Sequence, residues 1–398
     1  MVSLLVFNAK FASPPPEVKL SESPSGKRLA LNAKFASPPP EKGNLLEAIA
    51  AKRLRRYYLQ AVARELLPES RVAECLRAAV PGAGCVNVHY SDKHKRAHYG
   101  NLIQCASVWV CPVCASKITE RRRVEMLDGL NRLPLVAVMV TLTFQHSRED
   151  KLVDLKRDLA IAHRRLRSGK AWQSFCKRWG VVGAITSTEV TYGLDAGWHL
   201  HKHSLYLVRE KIPDTQAIRD DISNRFEAIM AKLGRYVNPT IGVHVRATTR
   251  EAANYVSKWG AAFEITKAAA KRGKGIHYNP FELLYLKSQG VGWAGDKFKE
   301  YAAAMKGVHQ LQWSTRIREM LELGKLPTDE ELVDAPEDTD RLLASLTLKQ
   351  WGVILKREKR GELLEVASTG SAEQLQTYLV AVGVYSATTL PVASGYLD

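Results

Sequence analysis

The 398 residues carry 58 Lys and Arg against 41 Asp and Glu, a formal net charge of +17, and 45% of them are hydrophobic. This length and balance suit a globular chain of two or three domains and point to polyanions, nucleic acid first, as partners. No apolar run is long enough to cross a membrane, and the opening MVSLLVFNAK has no basic stretch ahead of its apolar patch, so a membrane partner and a secretory leader are not expected and a cytoplasmic location is.

Residues 1–44 contain the decapeptide NAKFASPPPE twice, at Asn8–Glu17 and Asn32–Glu41. Two copies do not make a solenoid, and triple proline forbids helix, so this stretch reads as a disordered Pro-rich tail. Residues 45–130 come next. Leu45–Leu67 reads as a basic amphipathic helix, Cys75–Cys114 as irregular chain rich in Gly, His and Lys, and Ala115–Leu130 as a charged helix. In residues 131–290, Leu135–Phe144 reads as a buried strand, and Leu152, Leu155, Leu159 and Leu166 recur near helical spacing. Val181–Gly193 reads as a strand that the turn GLDAG joins to a second strand as a hairpin. Helix is expected over Ile212–Leu233, strand over Thr240–Arg246 and helix over Thr249–Thr266, with residues 291–398 mostly helical. Strands that look antiparallel, mixed with helices, predict an α+β fold: a central antiparallel sheet flanked by helices.

The second strand of that hairpin is GWHLHKHSLYLV, Gly197–Val208. It places His199, His201 and His203, three of the chain's 11 histidines, at alternate positions. Alternate side chains of a strand share a face, so the three imidazoles can converge on a metal. Two of them would bind a divalent cation with a third ligand. Glu189, on the paired strand, is the natural candidate, because a carboxylate favours Mg²⁺ or Mn²⁺.

Downstream, Glu251, Tyr255 and Lys258 in REAANYVSKWG fall on one face of the expected helix, beside an apolar face of Ala252, Val256, Trp259 and Phe263. A tyrosine beside a metal can attack a phosphodiester, with the ion polarising the phosphoryl oxygens and Lys258 adding positive charge.

Six cysteines in a long chain of this kind suggest reduced thiols and a metal rather than disulfides. Cys111 and Cys114 have the spacing of a zinc knuckle. Cys105 joins them, Cys85 is the candidate fourth ligand with His94 and His98 as competitors, and Cys75 and Cys176 read as structural. Basic runs at Glu120–Arg123, His163–Arg167 and Lys271–Lys274 are candidates for holding phosphates. No G-x-x-x-x-G-K-[ST] stretch is present, so unwinding would fall to another protein.

These motifs resemble the replication initiators of rolling-circle plasmids, within the HUH endonuclease superfamily. VMVTLTFQHS is similar to the family's first motif, GWHLHKHSLYLV to its histidine strand, EAANYVSKW to its tyrosine motif and CASVWVCPVCASKI to a cysteine motif of many members. KRGKGIHYNPFELL, GVHQLQWSTRIR and LPTDEELV are also similar to family segments. The resemblance implies an RRM-like HUH endonuclease core over residues 131–290, Tyr255 as nucleophile, and Glu251 as the group that activates water to end a round. It places the metal on His201 and His203, by their position after Trp198, with His199 as the alternative because Lys202 interrupts the usual apolar middle. It also implies plasmid origin DNA, single-stranded or extruded as a hairpin, as substrate, with host helicase and DNA polymerase as partners. A transposase or relaxase of the same superfamily, and a non-catalytic DNA-binding regulator, are the alternative readings.

Overall fold

Alternating burial, not composition, sets the architecture. The computed structural model describes residues 45–132, 135–209, 214–248, 277–334, 340–385 and 388–389. Helix α1 (Leu45–Leu66) leads to the hairpin β1 (Cys85–Ser91) and β2 (Arg96–Gly100), then to α2 (Pro112–Arg132) and β3 (Leu135–Leu142). Helices α3 (Leu152–Leu166) and α4 (Gly169–Trp179) precede the long strands β4 (Val181–Gly193) and β5 (Gly197–Arg209), followed by α5 (Thr215–Ala231) and β6 (Val243–Thr248). After β7 (His277–Tyr278) come α6 (Pro280–Ser288), α7 (Gly292–Met305), β8 (Leu311–Trp313), α8 (Ile317–Met320) and α9 (Asp329–Asp334). The last described elements are β9 (Asp340–Thr347), α10 (Leu348–Lys356), α11 (Arg360–Ala367), α12 (Ala372–Ala381) and β10 (Thr388–Thr389).

Two sheets result. The larger has six strands, in the order β6-β3-β5-β4-β7 with β8 also on β4, and every pairing in it is antiparallel. The α+β expectation, a large antiparallel sheet flanked by helices, is borne out. The smaller sheet, ordered β10-β9-β1-β2, corrects the reading of Cys75–Cys114 as irregular. Val86, Val88 and Tyr90 alternate inward on β1. The signal is short, however, and its partner β9 comes from far along the chain, Asn87 and Ser345 being 258 residues apart. Strands from residues 85–100 and from residues 340–389 thus share a sheet.

The two faces of the large sheet bury different cores. Trp198, Leu200, Tyr206 and Val208 of β5 point to one face, against α3, α4 and α7, where Trp172 lies over Tyr206 and Trp198 stacks on Tyr301. The four leucines that predict α3 are all buried there. Leu205 and Leu207 point to the other face with Met139 and Ile185, under Met126 of α2 and Ile317 and Leu321 of the α8 segment. Among the described residues, that second cover stops short of the histidines.

The β4–β5 turn needs glycine at Gly197. Its φ is +76°, and a Cβ there would lie 2.8 Å from the Arg148 Cα. The close approach seats the loop after β3 against the start of the histidine strand. Arg235 fixes that loop further by reaching Asp150 at 2.7 Å and Asp158 of α3 at 2.9 Å.

Candidate metal centres and the open sheet face

Register aligns the histidines with their partners. Glu189 lies opposite His201, and His203 lies between Ser187 of β4 and Thr141 of β3. Ligand atoms of Glu189, His201 and His203 all fall within 4.8 Å of one another, so this group can hold a metal ion. His203 Nε2 is 2.7 Å from Glu189 Oε2, and its Nδ1 is 3.0 Å from the Thr141 hydroxyl. His201 Nδ1 is 3.8 Å from the same carboxylate oxygen.

His199 stands next in the file but outside this group. Its Nδ1 is 2.6 Å from His146 Nε2, and His146 Nδ1 is 2.9 Å from the Ala196 carbonyl. A carbonyl can only accept, so His146 donates from Nδ1 and accepts at Nε2. His199 must then donate from Nδ1, which leaves its Nε2 to accept from His201 Nε2. That relay leaves the Nδ1 lone pair of His201 facing Glu189, the orientation a ligand needs. Burial, then the neighbouring imidazoles, lowers His199 to about 3. Burial lowers His201 to about 4 against the pull of Glu189. Both rings are therefore neutral near pH 7, as ligation requires. Burial opposes ionisation of Glu189, but the hydrogen bond and charge of His203 prevail and lower its pKa. Two imidazoles and an ionised carboxylate, on a face that the described residues leave open, fit a divalent cation with positions left for substrate. His244 and Arg246 of β6, both exposed, register with Thr141 and Met139 and so stand on this same face.

Alternation also explains Lys202, the residue that interrupts the histidine pattern. It points to the opposite face, is buried, and donates to the Thr188 hydroxyl at 3.0 Å. Burial, then Arg167, lowers its pKa to about 8. Thr141, His146 and the Lys202–Thr188 pair escaped the sequence reading. Thr141 and His146 both lie in the VMVTLTFQHS motif, which was the available signal.

The second candidate centre is buried. Cys75, Cys105, Cys111 and Cys114 place their sulfurs within 4.8 Å of one another. Cys75 Sγ is 3.5 Å from Cys114 and 3.7 Å from Cys111, and Cys105 is 3.7 Å from Cys114. Four sulfurs at ~2.3 Å from a central zinc would stand about 3.8 Å apart, so the cage has the size of a tetrahedral thiolate site. The N–H groups of Cys105 and Cys114 and the amide of Gln60 point at its sulfurs, as they would toward negative charge. Burial opposes ionisation of Cys111, but hydrogen bonds from Cys105, Cys114 and Cys75 prevail and lower its pKa.

Cys75 takes the place that the sequence reading gave to Cys85. Cys85 lies half-buried on β1, with its thiol 3.5 Å from the Asn87 side chain, and it is not part of the cage. His94 is exposed at the β1–β2 turn and His98 stacks on His89, so neither joins the sulfurs. Cys176 is half-buried on α4.

Glu251, Tyr255 and Lys258 lie outside the described residues, as does the Lys271–Lys274 run. The other two basic runs lie on α2 and at the end of α3. Arg121 donates to the Leu332 carbonyl, Arg122 is buried against Asp329 and Gln310, and Arg123 pairs with Glu120. His163–Arg167 belongs to α3, where buried His163 meets Ser204 on the covered face of the sheet.

Fold and donor groups together define an α+β protein with two candidate metal centres among the described residues, one a buried thiol cage and one an imidazole–carboxylate group on a sheet face. The chain belongs to the replication protein family, whose model, described as "Replication protein", matches residues 101–356. That span includes Glu189 and all three strand histidines, whereas Cys75 falls before it. The chain is 27% identical over 350 residues to the Streptomyces lividans protein named "Protein rep", covering 68% of this chain and 75% of that one. Over 134 residues it is 31% identical to a Streptomyces cyanogenus protein named "Neomycin resistance protein", covering 27% of this chain and 31% of that protein's length. No solved structure matches. The motif resemblance to plasmid replication initiators is thereby borne out. No helix among the described residues is long and apolar enough to cross a membrane.

Proposed function

We propose that this chain starts rolling-circle replication of a plasmid by nicking one strand of the origin and later rejoining it. The observation that supports this reading is the Glu189, His201 and His203 group on the open face of a sheet in a replication protein. A Mg²⁺ or Mn²⁺ ion there would polarise the scissile phosphate and offset its developing negative charge. Glu189, His201 and His203 would hold that ion, and Thr141 and the His146–His199 relay would orient the imidazoles.

Tyr255 attacks phosphorus through its phenolic oxygen and gives up its proton. The P–O3′ bond breaks, the 5′ phosphate is left on the tyrosine, and the departing 3′ oxygen gains a proton and primes synthesis. Lys258 adds positive charge near the reacting phosphate. Glu251 later takes a proton from the water that releases the phosphotyrosine. The strand must be unpaired at the nick, since in-line attack does not fit an intact stacked duplex. A host helicase and DNA polymerase would act with it in the cytoplasm. Cys75, Cys105, Cys111 and Cys114 would hold a structural Zn²⁺.

The test is incubation with single-stranded oligonucleotides tiled across the plasmid origin, with Mn²⁺, and a denaturing gel. A covalent adduct that is absent with chelator and absent from Tyr255→Phe supports the reading. Tight origin binding with no adduct under any divalent ion would leave a DNA-binding regulator instead.

A further inference from the structure

We propose that a pocket beside β8, on the same sheet face as the histidines, holds one unpaired base of the DNA strand. The inference rests on the nicking function proposed above and adds where that strand is gripped.

The pocket has a volume of about 430 Å³ and is lined by His309, Trp313, Ser314, Arg316, Arg318 and Glu319, among others. Register fixes its place. Trp313 pairs with Ile185 and Leu311 with Ser187, while Ser187 and Glu189 lie opposite His203 and His201. Paired residues share a face, and alternate residues of β4 keep it. Trp313 therefore stands on the histidine face. Ile185 is four residues from Glu189, about 13 Å along the strand. An unpaired strand crosses that distance in a few nucleotides.

The chemistry of the lining selects a base rather than a phosphate alone. Trp313 is half-buried, and the Arg318 guanidinium lies 5.0 Å from its ring centroid. Arg318 cannot follow a phosphate away. It is buried and held by both carboxylate oxygens of Glu125 and by the carbonyls of Leu323, Gly324 and Lys325. A fixed cation on an indole makes a rigid platform for stacking, which every base can use. Exposed His309, Arg316 and Glu319 offer donors and an acceptor at the rim for the edge of a stacked base. Arg316 adopts φ +63°, a left-handed conformation that glycine would take more easily. The turn nevertheless carries an arginine at the pocket mouth, and strain of this kind gathers at binding sites.

The probes are four single-stranded homo-octamers, one for each base, and an octamer of abasic deoxyribose phosphates, with affinity read by fluorescence anisotropy without divalent ions. Trp313→Ala should weaken base-bearing octamers by about 5- to 150-fold, the size of one lost base–aromatic stack. It should leave the abasic octamer within twofold, and Trp313→Phe should restore most of the loss. Base-bearing octamers should also quench the indole emission that separates wild type from Trp313→Phe, which does not depend on the alanine variant folding. Equal weakening on base-bearing and abasic strands, or no weakening and no quenching, overturns the pocket while leaving the nicking reading intact. A wild-type protein that binds no single strand at all overturns both.

Discussion

Replacing Cys75 and Cys85 separately by serine distinguishes the buried cage from an ordinary thiol. Cys75 is fully buried, with its sulfur 3.5 and 3.7 Å from two others and accepting the Cys105 N–H at 3.4 Å. Among the described residues, the Cys85 thiol hydrogen-bonds to the Asn87 side chain. Structural zinc sites are worth roughly 10–16 kcal/mol, or about 2.5–4 kcal/mol for each of four ligands. Losing one ligand of that worth should lower the melting temperature by roughly 4–10 °C in a domain of this size. The assay is thermal unfolding of wild type, Cys75→Ser and Cys85→Ser, each with and without chelator, beside elemental analysis. Wild type and Cys85→Ser should carry one zinc and lose stability to chelator. Cys75→Ser should lose part of its zinc on dialysis and melt between the wild type and the chelated wild type. Equal zinc loss from the two variants, or full zinc in Cys75→Ser, would refute the cage.

Thr141→Val removes the partner of His203 Nδ1 and should weaken Mn²⁺ binding by about 10–100-fold, as outer hydrogen bonds to ligand histidines typically do; calorimetric titration with unchanged affinity would count against it. His163, packed against Ser204 with Lys202 and Arg167 nearby, has a pKa pushed well below 6.5, first by burial and then by those two cations. The unfolded chain takes up this proton near pH 6.5 and the folded chain only far lower, so stability should fall as pH drops below about 6.5, by up to about 1.4 kcal/mol per pH unit. Urea unfolding in chelator at pH 7 and pH 5.5 measures this, and His163→Gln should flatten the slope. Glu251→Ala should form the tyrosine adduct at a near-normal rate and release it about 10²–10⁴-fold more slowly; a parallel fall of both steps would rule out a role confined to release.

The histidine site was legible because its information is local. Three histidines at alternate positions, a short Gly-rich turn and a preceding strand that carries Glu189 are enough to place His201 and Glu189 opposite each other. The same alternation accounts for Lys202, which looks like an intrusion in one dimension and belongs to the other face in three. Cys75 was not legible in the same way. It lies 30 residues before Cys105, in chain whose next residue, Leu76, has φ +52°, and no periodicity links such a position to the knuckle. Cys85 lost its place because it begins a strand, and that strand is completed by residues near 345.

That long pairing orders events during synthesis. All four cage thiols have been made by residue 114, whereas β9, the neighbour of β1, follows only after most of the chain. At ~5–20 residues per second, the 258 residues between Asn87 and Ser345 take roughly 13–50 s to emerge. Until then β1 has a bare edge on one side, which invites pairing with another nascent chain. A chain halted before residue 340 would keep that edge permanently. Such fragments should be cleared or aggregate, so that little shortened protein with an intact histidine strand survives to act on DNA.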